Sequence, residues 1–254
     1  MLRVLERQYS GRCTYTFNSF DIDGSIEGIR RMEQEKRSSV LLVKGHCVLA
    51  VAPLYGEQAK YITFVRHPFD LFVSLFYYIR RAPWNRDHEQ VKKMKDLREY
   101  LDFQVITRKD NTLVRHLSGD IEAMWSPEAG PGMREVDGEL FSKAVAWLNA
   151  MAHVGITSHF DQSLLLMRKG LGWQHHCYYQ VQNRTSSRPS ISKDQDLMRS
   201  FNDAYSWDLQ LFALAKQRFD SEVEQAGAGF DREVAGFQSR NQLLQGLNRV
   251  FRFL

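Results

Sequence analysis

The sequence predicts an α/β fold with a short, mainly parallel sheet flanked by helices. Three short apolar segments rich in β-branched residues, at 38–46, 61–65 and 153–157, alternate with segments of helical periodicity. A chain of 254 residues with 43% hydrophobic and 25% charged residues is long enough to bury a substantial core. These observations exclude a disordered or repeat architecture and favour one α/β domain, or at most two small ones.

The first half of the chain supplies two strands and the helix that follows the second. The predicted elements are, in order, a helix at 2–9, a charged helix at 30–37, a strand at 38–46 and a strand at 61–65. The second strand ends at Arg66, and Pro68 with Asp70 then marks a helix start. We expect the apolar stripe of this helix to pack on the sheet; it consists of Leu71, Leu75, Phe76 and Ile79.

The second half is predicted to be mostly helical. A charged helix or loop at 87–98 and a long loop at 121–138 precede an amphipathic helix at 140–151, a strand at 153–157, a helix at 159–173, a polar loop at 183–192 and a helix at 207–224. We place one domain at residues 1–225 and a helical tail at 226–254. The tail is expected to pack back on the domain; a partner helix or a membrane-surface segment is the alternative.

Charge and cysteine content narrow the class of protein. The net charge of +4 suits an anionic ligand, and the basic residues are too dispersed for a nucleic-acid partner. Cys13, Cys47 and Cys177 lack metal-ligand spacing, and three scattered cysteines fit a reducing compartment. No apolar run could span a bilayer, so a cytoplasmic protein is the default, with a membrane anchor upstream as the alternative.

The turn after the second strand is a candidate phosphate site. Arg66 follows the strand, where open α/β sheets bind ligands, and Ser74 lies on the next helix. A guanidinium and a hydroxyl beside a helix N-terminus can hold a phosphate. Taken alone, an arginine after a strand is more often a surface or salt-bridge residue than a phosphate ligand.

The segment YITFVRHPFDLFVSLFYYIRR resembles the nucleotide 3′-phosphate site of PAPS-dependent sulfotransferases of the carbohydrate type. The resemblance lies in Arg-x-Pro and a serine eight residues after the arginine. It implies that Arg66 and Ser74 bind the 3′-phosphate of the co-substrate PAPS, that the fold is a P-loop NTPase-like three-layer sandwich, and that no metal is required. Leu71 stands where the family often has a second arginine, which weakens or relocates that contact.

Further segments are similar to successive blocks of the same family. They are NTLVRHLSG, VGITSHFDQSLLLMRKGLGW, NRTSSRP and FNDAYSWDLQLF, in family order. The resemblance implies that Arg188 belongs to a loop that closes over the nucleotide and that Asn183 braces it; an ordinary polar surface loop is the alternative. Arg115 matches a position on the acceptor side, and a surface salt bridge is equally consistent. The implied acceptor is a hydroxyl on a carbohydrate.

His46 is the candidate catalytic base. It ends the strand at 38–46, so we expect it at the same sheet edge as Arg66, and an imidazole can take a hydroxyl proton at neutral pH. Gly-His here resembles the block that carries the catalytic histidine of related glycan sulfotransferases. Lys44, two residues earlier, is a weaker candidate for stabilising the leaving group. His175 and His176 lack partners at zinc-ligand spacing.

One family motif does not occur in the sequence. The family has Pro-Lys-[Thr/Ser]-Gly-[Thr/Ser] between its first strand and helix, where backbone amides and the lysine hold the 5′-phosphosulfate. LRVLERQY resembles the helix after that motif. We therefore expect either a strand and loop encoded upstream of Met1, or a non-catalytic nucleotide- or glycan-binding relative. A nucleotide kinase is a further alternative, although no G-x-x-x-x-G-K-[ST] occurs.

Overall fold

The computed structural model shows a mixed α/β protein that is mostly helical and has short strands. It describes residues 1–9, 11–18, 21–56, 58–120, 134–181 and 194–250. The strands are β1 Thr14–Thr16, β2 Leu42–Lys44, β3 Ile62–Val65 and β4 His153–Ile156. The helices are α1 Leu2–Gln8, α2 Ile22–Arg30, α3 Gln34–Ser38, α4 Pro68–Ile79, α5 His88–Val91, α6 Leu97–Ile106, α7 Thr112–Leu117, α8 Gly138–Ala150, α9 Phe160–Leu171, α10 Gln195–Ala204, α11 Ser206–Gln225 and α12 Phe230–Val250.

The chain divides into two compact units. The first contains residues 1–64, 151–187 and 216–254, and the second contains residues 65–150 and 188–215. The predicted functional domain of residues 1–225 and tail of residues 226–254 stay a prediction. None of the described helices is long and apolar enough to cross a membrane.

The strands of the described residues form two small sheets rather than one. In the first, β1 and β2 are parallel, with Thr14 opposite Leu42 and Thr16 opposite Lys44. In the second, β3 pairs with β4. The α/β class and a parallel strand pair are as predicted, whereas the strands are shorter than the apolar segments that predicted them.

The core of the first unit joins helices from both ends of the chain. Its buried cluster consists of Val4, Leu5, Leu164, Leu165, Met167, Trp173, Cys177, Phe230, Val234 and Phe237. The last three belong to α12, so the apolar stripe of this helix packs on α9 at its N-terminal end. Full burial of each such side chain contributes about 1.5–3 kcal/mol.

The core of the second unit is built on α4. This helix buries Phe72, Val73, Phe76 and Ile79 against α6 and α10. The rings of Phe72 and Tyr100 stack with centroids 5.0 Å apart. Phe76 and Ile79 of the predicted stripe are buried in this core and the half-buried Leu75 packs against it, whereas Leu71 is half-buried outside the cluster. Because α4 is apolar on nearly all faces, its spacing did not define which face packs.

Candidate functional site

The candidate phosphate site is the turn that joins β3 to α4. Arg66 follows Val65, the last residue of β3, and is half-buried. His67 is the N-cap residue of α4, and Pro68 occupies its first turn, where its missing N–H removes no helical hydrogen bond. The ring of His67 packs edge-on against Phe212, with centroids 5.1 Å apart. Arg66 is thus placed directly before a helix N-terminus, whose partial positive charge attracts anions.

Ser74 lies on the side of α4 that does not face the aromatic core. It is half-buried, between the buried Val73 and the half-buried Leu75. Asp70 is one turn nearer the helix start and is exposed. Residues four apart share a helix face, so Asp70 and Ser74 lie along one line. A carboxylate on this line repels an anion, so Asp70 does not favour phosphate binding beside Ser74.

His46 lies beyond the strand that was expected to contain it. β2 ends at Lys44, and Gly45 adopts a φ of 137°, where a Cβ would lie 2.7 Å from the Cβ of Phe17. Only glycine fits this conformation, so the strand stops and the chain turns. His46 is exposed after that turn. The predicted strand through His46 is therefore wrong at its end. The exposed imidazole of His46 is accessible to a molecule in solution.

His46 and Arg66 do not lie at the edge of one common sheet, contrary to the prediction. His46 follows β2, which pairs with β1, whereas Arg66 follows β3, which pairs with β4. The prediction assumed a single sheet, in which the carboxyl ends of parallel strands lie at one edge. That His46 and Arg66 act in one reaction is therefore only proposed, under the proposed function.

Lys44 is used within the fold. Its side chain is 9% exposed, and its ammonium forms an ion pair with the carboxylate of Glu6 on α1. A buried lysine requires such a partner because an uncompensated charge is costly away from water. The positive charge is thereby balanced locally, which leaves little reason to assign Lys44 to a leaving phosphosulfate.

Arg115 is buried rather than part of a surface salt bridge. Its side chain is 4% exposed, and its guanidinium lies 3.5 Å from the Asp110 carboxylate. Its Nε donates to the carbonyl of Asp110 at 2.7 Å and its Nη1 to the carbonyl of Arg134 at 2.7 Å. Burial lowers the pKa of Arg115, and Asp110 opposes that shift. These bonds hold the start of α7; a role in acceptor binding stays a prediction.

Asp208, which the sequence did not single out, holds the start of α7 together with Arg115. Asp208 is buried, and its carboxylate accepts the backbone N–H groups of Leu113 at 2.9 Å and Val114 at 2.8 Å. Burial raises the pKa of Asp208 to about 7, although the two N–H groups and Arg115 act in the opposite direction. The sequence carries no signal for this contact, because the partners of Asp208 are backbone N–H groups.

Two further candidate residues and a possible metal site remain to be considered. Asn183 and Arg188 lie outside the described residues, so their predicted roles stay predictions. Within the described ranges, no group of three or more histidine, cysteine, aspartate or glutamate residues is arranged to hold a metal ion. No family model, curated protein or solved structure matches the chain.

Proposed function

We propose that this protein is a sulfotransferase that moves the sulfuryl group of PAPS to a hydroxyl, with a carbohydrate as acceptor. The observation that carries the proposal is the placement of Arg66 between β3 and the N-terminus of α4, with Ser74 on the same helix. A guanidinium beside a helix N-terminus is suited to a dianionic phosphate. The resemblance of residues 61–81 to a 3′-phosphate site adds the identity of the nucleotide.

In this proposal each residue has a distinct role. Arg66 pairs with the 3′-phosphate, and Ser74 donates a hydroxyl hydrogen bond to it. The exposed His46 takes the proton of the acceptor hydroxyl as its oxygen attacks sulfur. The bond between sulfur and the bridging phosphate oxygen then breaks, and 3′,5′-ADP leaves. The fold proposed for this chemistry is a P-loop NTPase-like sandwich.

The second candidate function is a non-catalytic nucleotide- or glycan-binding relative. One sequence observation favours it. Leu71 stands where the family often has a second arginine, and it is half-buried on α4, where its side chain offers no charge to a phosphate. Nucleotide binding is therefore the property to measure first, because both candidates need it.

Isothermal titration with three nucleotides tests the proposal. We expect saturable binding of 3′,5′-ADP, with 5′-AMP and ATP binding at least tenfold more weakly because they lack the 3′-phosphate. Preference for ATP would point to a kinase-type site instead. Equal affinity for 3′,5′-ADP and 5′-AMP would contradict a 3′-phosphate site at the start of α4.

A further inference from the structure

The first turn of α4 is held by aromatic contacts from two later helices. Phe69 packs edge-on against Phe201 of α10, with ring centroids 5.0 Å apart. The imidazole of His67, the N-cap residue of α4, packs edge-on against Phe212 of α11, with centroids 5.1 Å apart. Edge-on contacts of aromatic rings are favourable, because the positive edge of one ring meets the negative face of the other. The backbone on both sides of Pro68 is therefore packed against the second half of the chain.

The two contacts differ in where they lie. Phe201 is buried and belongs to the aromatic core of the second unit, so its loss would disturb that whole core. The contact between His67 and Phe212 is nearer the surface, since His67 is exposed and Phe212 is half-buried. It is made one residue after Arg66, the residue proposed to bind the 3′-phosphate. Phe212 can therefore be changed to test the Arg66 turn without emptying the aromatic core.

Buried hydrogen bonds anchor the part of α11 that carries Phe212. Asp208 lies four residues before Phe212, so the two side chains share a face of the helix. The Asp208 carboxylate accepts the backbone N–H groups of Leu113 and Val114 at the start of α7. The backbone N–H of Asp208 donates to the side-chain oxygen of Asn111. Because these bonds tie α11 to α7, the ring of Phe212 meets His67 from a fixed support.

We infer that Phe212 is a positioning residue for the phosphate site: its ring holds His67, and with it the backbone of Arg66, in the conformation that binds the nucleotide. This inference rests on the proposed function. Phe212 contacts no phosphate; it biases the turn that carries Arg66 toward one conformation. Loss of the ring lowers the fraction of molecules in that conformation, and the apparent affinity falls by the same factor. The free energy of an aromatic pair limits this factor to about two- to tenfold.

Titration calorimetry of Phe212→Leu with 3′,5′-ADP and with 5′-AMP tests the inference. Leucine keeps an apolar side chain and removes the ring. We expect the affinity for 3′,5′-ADP to fall about two- to tenfold, and that for 5′-AMP to stay within about twofold, because Arg66 is assigned to the 3′-phosphate alone. Phe212→Tyr keeps the ring and should bind both nucleotides as the unmodified protein does. A merely structural role of Phe212 would weaken the binding of both nucleotides alike.

Phe141→Leu is the matched control. Phe141 is also half-buried, and its ring packs against Trp207 in the same unit, with centroids 5.0 Å apart. We expect this variant to lose a similar amount of thermal stability and to keep its affinity for 3′,5′-ADP. A second measurement needs no nucleotide: the NMR signals of the His67 imidazole should move in Phe212→Leu, because the neighbouring ring is gone, and should stay in place in Phe141→Leu.

The outcomes separate this inference from the proposed function. If the unmodified protein binds 3′,5′-ADP and Phe212→Leu binds it equally well, or loses affinity for both nucleotides alike, Phe212 does not position the phosphate site and the proposed function stands. Unmoved His67 signals in Phe212→Leu would overturn the inference in the same way. If neither the unmodified protein nor Phe212→Tyr binds 3′,5′-ADP, the proposed function fails, and this inference fails with it.

Discussion

The backbone N–H of Asp208 donates to the side-chain oxygen of Asn111 at 3.0 Å. The Asp208 carboxylate in turn accepts two N–H groups from the first turn of α7, which Asn111 precedes. Asn111 also donates to the carbonyl of Ala204 at 2.8 Å. Two sequence segments about a hundred residues apart are thus joined by reciprocal bonds, and each satisfies helix-start groups that would otherwise be buried without partners.

The stability of the protein should decrease between about pH 4 and pH 7 through Asp208. Burial raises the pKa of its carboxyl from 3.8 to about 7, so in this window the folded state holds a proton that the unfolded state has released. The free energy of unfolding then falls as the pH rises, by at most about 1.4 kcal/mol per pH unit. Urea denaturation at several pH values measures this slope.

Asp208→Asn removes the titrating group and should remove this part of the slope. The variant is also expected to be less stable at every pH, because an amide offers one acceptor oxygen where two N–H groups need partners. A slope that is the same in the variant and the unmodified protein would show that the pH dependence arises from other groups.

Asn111→Ala should destabilise the fold by about 3 kcal/mol, the cost of its buried hydrogen bonds and of a left-handed backbone. Asn111 is 3% exposed and has a φ of 49°, a conformation that asparagine tolerates and alanine does not. Asn111→Gly separates the two causes. Glycine tolerates the left-handed backbone, so this variant avoids the backbone cost of about 1 kcal/mol and keeps only the loss of the side-chain hydrogen bonds. Equal stability of both variants would show that the backbone conformation contributes nothing.

Gly45→Ala should destabilise the protein by about 1–3 kcal/mol and disturb the turn that exposes His46. The residue has a φ of 137°, and an added Cβ would meet Phe17. Gly56→Ala is the matched control, since Gly56 has a φ of 64° and open space around it. A smaller loss at Gly45 than at Gly56, measured by thermal unfolding, would contradict the close approach to Phe17.

His46→Ala should lower the turnover of sulfate transfer about a hundredfold or more, because it removes the general base. The affinity for 3′,5′-ADP should stay within twofold, since His46 is assigned to the acceptor and not to the nucleotide. His175→Ala is the control, as His175 is also exposed. Normal turnover of His46→Ala in a sulfate-transferring preparation would make His46 a structural residue.

Local sequence signals predicted the positions of helices and strands better than they predicted which of these elements contact one another. Pro68 after a strand located the start of α4, because proline restricts the backbone directly. The end of β2 was placed two residues too late, because the prediction carried the strand through Gly45 to His46. The face that α4 packs was not predictable from a helix that is apolar almost all round. The separation of β2 and β3 into two sheets depends on long-range pairing, which periodicity does not encode.

In the candidate site, too, the positions of residues were predicted better than their contacts. Arg66 and Ser74 were located from the sequence because they flank a helix start. The burial of Arg115 and Lys44 was not foreseen, since an arginine or lysine in a sequence gives no sign of the carboxylate it will meet. Asp208 was missed because its partners are backbone N–H groups, which leave no trace in the identity of residues 113 and 114.

Ser74→Ala should weaken the binding of 3′,5′-ADP by about 0.5–1.5 kcal/mol, the net value of one neutral hydrogen bond. The affinity for 5′-AMP should not change, because that nucleotide lacks the phosphate that the hydroxyl contacts. Titration calorimetry with both nucleotides measures the difference. A parallel loss for the two would show that Ser74 supports α4 and does not contact the 3′-phosphate.

The most direct test of the account is the affinity of Arg66→Ala for 3′,5′-ADP and for 5′-AMP, measured by titration calorimetry. Arg81→Ala is the control, because Arg81 is exposed just after the same helix and its Nε donates to the Tyr77 carbonyl of that helix. Loss of a charge-assisted phosphate contact predicts a cost of about 1.5–3 kcal/mol for 3′,5′-ADP, with 5′-AMP and the control nearly unaffected. Equal losses for both nucleotides would contradict a 3′-phosphate site at Arg66.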